Sequence, residues 1–284
     1  MSTPSDSLSI RDLNRLCSLI YEHSGINISA DKKIMLEGRL KRRVTILKMA
    51  SYAEYCKYLF AGHGHDEEEM VHLIDAVSTN KTDFFREKEH FDVLTAKVLP
   101  EVTARDRASP VLIWSAGCST GEEPYTLAIV LSEYARAHPG FRFRVLATDI
   151  STMVLAKAQL GIFSTEVVSP VPVELRRRYF MRSRDRESNL LRVVPELREL
   201  IEFRYLNLIE DFGLPTLAHA IFCRNVIIYF DRPTQEKLFR KFALQLVAGG
   251  YMFVGHSESL HHMDLPLLPV APALYRKTDA RNEK

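Results

Sequence analysis

Between residues 111 and 131 the chain reads VLIWSAGCSTGEEPYTLAIVL, and the residue types in this stretch suit ligand binding better than bond cleavage. Gly117 and Gly121 let the backbone turn sharply and approach a ligand that any Cβ would push away. Their spacing is G-x-x-x-G, with no G-x-G-x-x-G and no following Gly-Lys-Ser/Thr, so dinucleotide and P-loop readings weaken. Glu122 and Glu123 lie in the same turn and would repel a pyrophosphate. Asp149 follows the apolar run from Phe143 to Ala147, and an acidic residue at the carboxyl end of a parallel strand is placed to meet ribose hydroxyls. A cationic, phosphate-free nucleoside fits this set better, and S-adenosylmethionine is one. On the loop alone a plainer account stays open, in which the glycines only shape a turn and Asp149 caps the helix after it.

These groups need strands and helices to hold them. Val111 to Trp114 reads as a buried strand, and helical apolar spacing resumes at Tyr125, Leu127, Ala128 and Leu131. Strands are expected at Phe143–Ala147, Ile201–Tyr205, His219–Cys223 and Tyr251–Val254, with an amphipathic helix over Thr234–Val247. A last edge strand is expected at Ala273–Arg276. Strands alternating with helices mean a doubly wound α/β sheet. Pro170 and Pro172 interrupt the alternation, and FMRSRDRESNLLRVV reads as an inserted hairpin about a polar turn.

Ahead of the α/β part, Ser9 with Asp12 makes a capping box for a helix that ends at Gly25, and Asp31 is placed to cap a second. The second helix has the apolar face Leu36, Leu40, Val44 and Leu47, while Lys32, Lys33, Arg39, Lys41, Arg42, Arg43 and Lys48 crowd its other sides against Glu37 alone. A third helix starts at the Ser51/Glu54 box, HGHDEEE forms a polar loop, and a fourth helix runs through Met70, Leu73, Ile74 and Val77. A solvated face is the usual meaning of a charge run. So one-sided a helix, in a region with no catalytic constellation of its own, points instead to an acidic partner met through Arg39, Arg42 and Arg43. Residues 78–91, STNKTDFFREKEHF, join the two parts. Asn80, Thr82 and Arg86 flank Phe84 and Phe85 as in a segment laid over a pocket with its aromatics inward, and an ordinary linker is the plainer reading.

The 284 residues are enough for a full core and two domains. Hydrophobic and charged contents of 46% and 26% are those of an ordinary soluble protein, while a net charge of +2 favours no partner class by itself. No apolar run approaches a membrane span and MSTPSDS lacks the features of a signal region, so a cytoplasmic setting without membrane insertion is expected. Cys17, Cys56, Cys118 and Cys223 show no paired spacing, which argues against disulfides and a zinc site; no metal is expected.

The segments TNKTDFFRE, WSAGCSTGEEPYTLA, ATDIS, LNLIE, CRNVIIYFD and GHSES, in this order, closely resemble the chemoreceptor glutamate methyltransferases, the CheR family, over nearly the whole chain. The resemblance implies a Rossmann-like methyltransferase sheet with a helical substrate-recognition domain (1–79), a lid segment (80–90) and an α/β domain (91–284) carrying a small antiparallel β-subdomain at about 170–200. It implies transfer of a methyl group from S-adenosylmethionine to glutamate side chains in the cytoplasmic helical domain of transmembrane chemoreceptors, leaving S-adenosylhomocysteine. By motif matching, cofactor contacts fall on Asn80, Thr82, Arg86, Glu123, Asp149, Asn207, Leu208, Asn225 and Val226. The family's second site, in the hairpin insertion, tethers a receptor's C-terminal pentapeptide; Arg182 and Arg192, flanking SRDRESNL, are the candidates to meet its carboxylates, although the turn lacks the glycines expected there. The protein is expected to be a monomer.

The chemistry of the residues agrees. A glutamate carboxylate ordinarily titrates near a pKa of about 4.3, so at neutral pH it needs no general base, and catalysis reduces to alignment and desolvation. Arg86 is placed to steer the carboxylate and Tyr229 to orient it through its hydroxyl; His256, in GHSES, is read as a turn histidine. An RNA or DNA methyltransferase using the basic helix is the alternative. It is disfavoured because there is no N/D-P-P-Y, no Pro-Cys nucleophile and little aromatic surface for stacking bases, so no nucleic-acid partner is expected. A non-catalytic binding module of the same fold is the third reading.

Overall fold

The computed structural model describes residues 6–61, 67–106, 109–185, 187–261 and 263–278. Four helices form the first layer. Ser9 accepts the Asp12 N–H at 3.0 Å and starts α1 (Ile10–Ser24), which ends at Gly25 in the left-handed region. Asp31 does not cap the next helix: Ala30–Lys32 turns as a 3-10 segment, and α2 (Lys33–Ile46) begins after it with no side-chain cap. Ser51 accepts the Glu54 N–H at 3.0 Å and opens α3 (Tyr52–Phe60), and α4 (Glu67–Val77) closes the bundle. The HGHD part of the expected polar loop lies outside the described residues. Leu16, Ile20, Leu36, Leu40, Val44, Tyr55 and Leu73 are fully buried between these helices.

Packing against α4 changes the meaning of the basic helix. Arg43 does not face a partner: its Nε–H donates at 3.0 Å to both carboxylate oxygens of Glu69, its guanidinium completes an ion pair there, and the Tyr55 hydroxyl donates to the same carboxylate at 2.9 Å. Arg39 donates to the Val77 carbonyl and, at 2.6 Å, to Thr79 Oγ1, so it fastens the exit of α4. Of the three arginines, Arg42 is the exposed one.

A helix with an internal π-helical turn, made of α5 (Glu89–Val93), Leu94–Val98 and α6 (Leu99–Arg105), leads into the sheet. The main sheet contains β1 (Val111–Ala116), β2 (Phe143–Asp149), β6 (Ile201–Tyr205), β7 (Ala218–Cys223), β8 (Leu246–Val254), β9 (Leu267–Ala271) and β10 (Leu274–Lys277), in the order β6-β2-β1-β7-β8-β10-β9. The first five of these positions are parallel and β10 runs antiparallel to both β8 and β9. Between strands lie α7 (Glu122–Ala137), α8 (Thr152–Leu160) and α11 (Arg232–Gln245). Period-two alternation sorts the strands onto two cores. Ile113, Val145, Phe222 and Phe253 face one layer; Trp114, Leu146, Ile221 and Met252 face the other. The strand expected at the edge, β10, is an inner strand, and the edge is β9. Its Pro269, which has no N–H for a ladder, hid it from the sequence reading and is tolerated in an edge strand.

The inserted sheet is three-stranded and begins earlier than expected. Strand β5 (Leu190–Val193) is flanked by β3 (Ile162–Ser164) and β4 (Phe180–Arg182), with α9 (Val173–Tyr179) leading into β4. The short turn α10 (Pro195–Arg198) returns the chain to β6.

Glu69 is 2% exposed and serves both Arg43 and Tyr55. Glu69→Ala is therefore expected to destabilise the protein by about 3 kcal/mol, because it strands a half-buried cation and a buried hydroxyl. Arg42→Glu should change stability by less than about 0.5 kcal/mol. Urea unfolding of the two variants checks this pair of values.

Candidate active site

The carboxyl ends of β1 and β2 are tied together before any ligand is considered. The Thr148 carbonyl accepts the N–H groups of Gly117 and Cys118 at 2.8 and 2.9 Å, and its hydroxyl accepts the Trp114 indole N–H at 2.9 Å. Asp149 Oδ2 accepts the Ser119 N–H at 2.8 Å and Oδ1 the Ser151 N–H at 2.9 Å. Burial pushes the Asp149 carboxyl up from its ordinary range, against the pull of those backbone donors. Each oxygen keeps a second lone pair for a hydroxyl donor. Capping of α8 falls to Ser151, which accepts the Val154 N–H, and not to Asp149.

The two glycines are needed for protein neighbours. A Cβ on Gly117 (φ 85°) would collide with Val226 Cγ2, and one on Gly121 (φ 104°) would lie 3.1 Å from Ala158 Cβ. At Gly117, which itself lines the cleft, the missing Cβ admits Val226, another wall of the same cleft.

Asn80, Thr82, Arg86, Glu123, Asp149, Asn207, Leu208, Asn225, Val226 and Tyr229 all line one cleft between the helical layer and the sheet. The helical layer supplies the opposite wall with Ile26, Ile28, Met35 and Arg39. Contacts that hold the layers together include Asn207 Nδ2 donating to the His23 carbonyl at 2.7 Å, the Asn27 N–H to the Tyr229 carbonyl at 2.8 Å, the Tyr21 hydroxyl to Asp231 at 2.8 Å, and the Thr152 hydroxyl to Asp75 at 3.1 Å. Residues 80–90 are packed against the protein. Phe84 is buried edge-on to Phe163 and Phe180 at the base of the small sheet, and the Phe85 N–H donates to Thr126 Oγ1 at 3.1 Å. The inward aromatics expected of this segment are present, and Arg86 reaches back to donate to the Lys81 carbonyl at 3.0 Å.

Two charged residues shape the cleft without having been singled out in the sequence. Glu258, in GHSES, is 6% exposed and accepts the N–H groups of Asn225, Ile227 and Gly255 at 2.9, 3.0 and 2.6 Å, which holds Asn225 at φ 59°. Arg224, beside it in CRNVIIYFD, donates through Nε to Glu123 at 2.7 Å. The signal available for Arg224 was a charge directly after the apolar run of β7, while the polar GHSES gave none for Glu258. Glu123, expected to repel phosphate, is thereby neutralised. Glu87, His90 and His256 offer ligand-type atoms within 4.8 Å of one another, but Arg224 Nη1 lies 3.2 Å from His90 Nδ1 and already brings a cation to that point.

The remaining candidates lie outside the cleft. Arg182 and Arg192 are exposed on the small sheet. Arg192 shares a cross-strand row with Ile162 and Met181 on its outer face and donates to the Leu160 carbonyl at 3.2 Å. Arg42 is on the outer side of α2, whose Met35 and Arg39, with Lys32 just before the helix, border the cleft. With Arg39 and Arg43 engaged internally, the cationic face that the nucleic-acid alternative requires is reduced. Among the described residues no helix is long and apolar enough to cross a membrane.

A largely parallel sheet in this order, with a turn and an acidic residue at the carboxyl ends of β1 and β2, places the cleft where doubly wound sheets bind nucleosides. Residues 80–269 match the CheR methyltransferase SAM-binding domain and residues 11–78 the CheR methyltransferase all-alpha domain. The chain is 37% identical over 271 residues to a chemotaxis protein methyltransferase of Borreliella burgdorferi, covering 94% of each chain. It is 39% identical to that of Salmonella typhimurium (90% of this chain, 86% of the relative) and 38% identical to that of Escherichia coli (91% and 87%). The chain belongs to the CheR methyltransferase family, and its activity is S-adenosylmethionine-dependent methyl transfer in chemotaxis.

The cleft tolerates no side chain at its first turn. Gly117→Ala combines a left-handed φ with a clash against Val226, and is expected to destabilise the fold by about 2 kcal/mol. A lower urea midpoint, together with weakened S-adenosylhomocysteine binding in calorimetry, checks it.

Proposed function

We propose that this protein esterifies glutamate side chains on the cytoplasmic helical domain of chemoreceptors, working as a cytoplasmic monomer with a recognition domain over 1–79, a lid over 80–90 and a catalytic domain over 91–284. The observation that carries this reading is the convergence of nine motif-matched residues and Tyr229 on one cleft that, among the described residues, contains no nucleophile and general-base pair. The bound cofactor supplies a methyl carbon activated by a sulfonium. Asp149 is assigned to the ribose hydroxyls, with Asn207, Leu208, Asn225 and Val226 along the nucleoside, and Asn80, Thr82, Arg86 and Glu123 at the amino-acid end. The Asp149 carboxyl group, held by the N–H groups of Ser119 and Ser151, keeps lone pairs for the ribose hydroxyls. Arg86 and Tyr229 hold the acceptor carboxylate in line, so that its own charge attacks without proton removal.

Receptor docking is assigned to α2, now through Arg42 with its exposed lysine neighbours, while Arg39 and Arg43 keep the internal roles described above. Complementary charge favours a glutamate-rich helix laid there. A receptor's C-terminal peptide would add to an edge of the small sheet, with Arg182 and Arg192 meeting its carboxylates.

Incubation with receptor-containing membranes and methyl-labelled S-adenosylmethionine tests the reading. Label released as methanol by mild base supports an ester; base-stable label in nucleic acid sinks it. The single-turnover rate is expected to be flat from about pH 6.5 to 8.5, because the acceptor carboxylate ionises near a pKa of about 4.3 and is already charged throughout that range. The His90 imidazole, pulled down to about 4 by burial and then by Arg224, is neutral across it. The rate should fall only as the carboxylate protonates in acid. Asp149→Ala is expected to weaken S-adenosylhomocysteine binding by about 1.5–3 kcal/mol, measured by calorimetry on the folded variant.

A further inference from the structure

Between the last strand residue of β7 and the cleft sits Arg224, a guanidinium only 7% exposed. Its Nε–H donates to Glu123 Oε2 at 2.7 Å, and Ser115 holds the other oxygen of that carboxylate at 2.7 Å. Its Nη1 donates to the backbone carbonyl of Arg86 at 2.7 Å and lies 3.4 Å from Glu87 Oε2 and 3.2 Å from His90 Nδ1. The rings of Phe91 and Phe222, centred 5.2 and 5.7 Å from the guanidinium carbon, line its surroundings. One side chain thus bridges the cradle helix α7 to the segment that carries Asn80, Thr82 and Arg86.

That segment needs such a bridge. Phe85 and Glu87, on either side of Arg86, both have positive φ, 56° and 55°. Left-handed backbone at bulky residues persists only where surrounding contacts over-determine it. The Arg224 bond falls on the carbonyl between the two strained residues, and Thr126 holds the N–H of Phe85. Arg224 can only donate to His90 Nδ1, whereas Glu87 Oε2, 3.4 Å from the same nitrogen, can only accept from it, so the two neighbours favour opposite tautomers. His90 Nε2 meets no hydrogen-bond partner among the described residues. His90 faces Arg224 and Glu87 at hydrogen-bonding distance, the His256 ring at 4.9 Å and, more remotely, Glu89. A neutral His90 leaves two carboxylates against one guanidinium, a net negative cluster at the cleft wall.

We propose that Arg224 is a positioning residue for methyl transfer, clasping residues 80–90 onto α7 so that Arg86 is held in its working geometry. The effect on rate rests on the role assigned to Arg86 above; the clasp itself does not. Arg224→Gln and Arg224→Lys, each alone and with Arg86→Ala, test it in the full-length protein. Arg224→Gln is expected to lower the single-turnover rate about 30-fold, a loss typical of a misplaced steering group, but less than about threefold in the Arg86→Ala background, since Arg224 acts through Arg86. Hydrogen exchange should quicken about tenfold at the amides of 80–90 while β1, β2 and β7 keep their protection. Arg224→Lys, which retains the charge, should recover part of both effects. Loss of the cation should also raise the titration midpoint of His90 in its NMR resonances. Additive rate losses in the double variant, or faster exchange spread evenly over the sheet, would overturn the proposal. If Arg86→Ala leaves the rate unchanged, the role of Arg86 fails, and exchange at 80–90 still decides whether Arg224 is the clasp.

Discussion

Two consecutive residues at the end of β2 hold the turn that begins the cofactor cradle. Thr148 takes two backbone N–H groups from Gly117 and Cys118 through one carbonyl, and Asp149 takes a third from Ser119. Buried backbone donors must find acceptors, so the turn after β1 cannot exist in this form without the neighbouring strand in register beside it. The β1–β2 pairing, Ala116 opposite Thr148, is therefore the constraint on which the cleft depends. Once it is in place, Gly117 admits Val226, α7 begins at Gly121, and Glu123 is carried to Arg224.

The cleft is built from polar groups that satisfy one another across distant parts of the chain. Glu258 shapes the Asn225 turn, Arg224 reaches to Glu123 and the Arg86 carbonyl, and Asn207 reaches to the first helical layer. Each member is buried, so removing one leaves another without a partner, and the cost exceeds the modest net value of a single hydrogen bond. This makes a pocket whose walls come from two layers behave as one preorganised surface. Preorganisation matters when the nucleophile is already ionised, because positioning and desolvation are then the remaining sources of rate.

Much of the architecture was legible because it follows from local rules. The continuous apolar runs VLIW and AIFC marked buried strands, capping at Ser9 and Ser51 marked helix starts, and the ordered motifs marked the family and the cleft residues. The sequence reading failed where a residue's partner lies far along the chain. Arg43 looked like part of an open cationic stripe because α2 by itself does not reveal Glu69 on α4. Gly117 lines the cleft, but its packing against Val226, more than a hundred residues away, was not legible. Strand β9 was missed because Pro269 weakens its pattern, and only pairing to β10 makes it a strand.

Residue type, local periodicity and motif order were enough to establish the class of fold, the family and the residues that line the cleft. Packing in three dimensions decided which charges remain outside and which are spent within. Arg39, Arg43 and Arg224 carry the same guanidinium as Arg42, yet three of them are bonded internally and one is exposed. A charge acquires its role from what is packed against it, through desolvation and the acceptors that offset it, and those neighbours are brought together only by the fold.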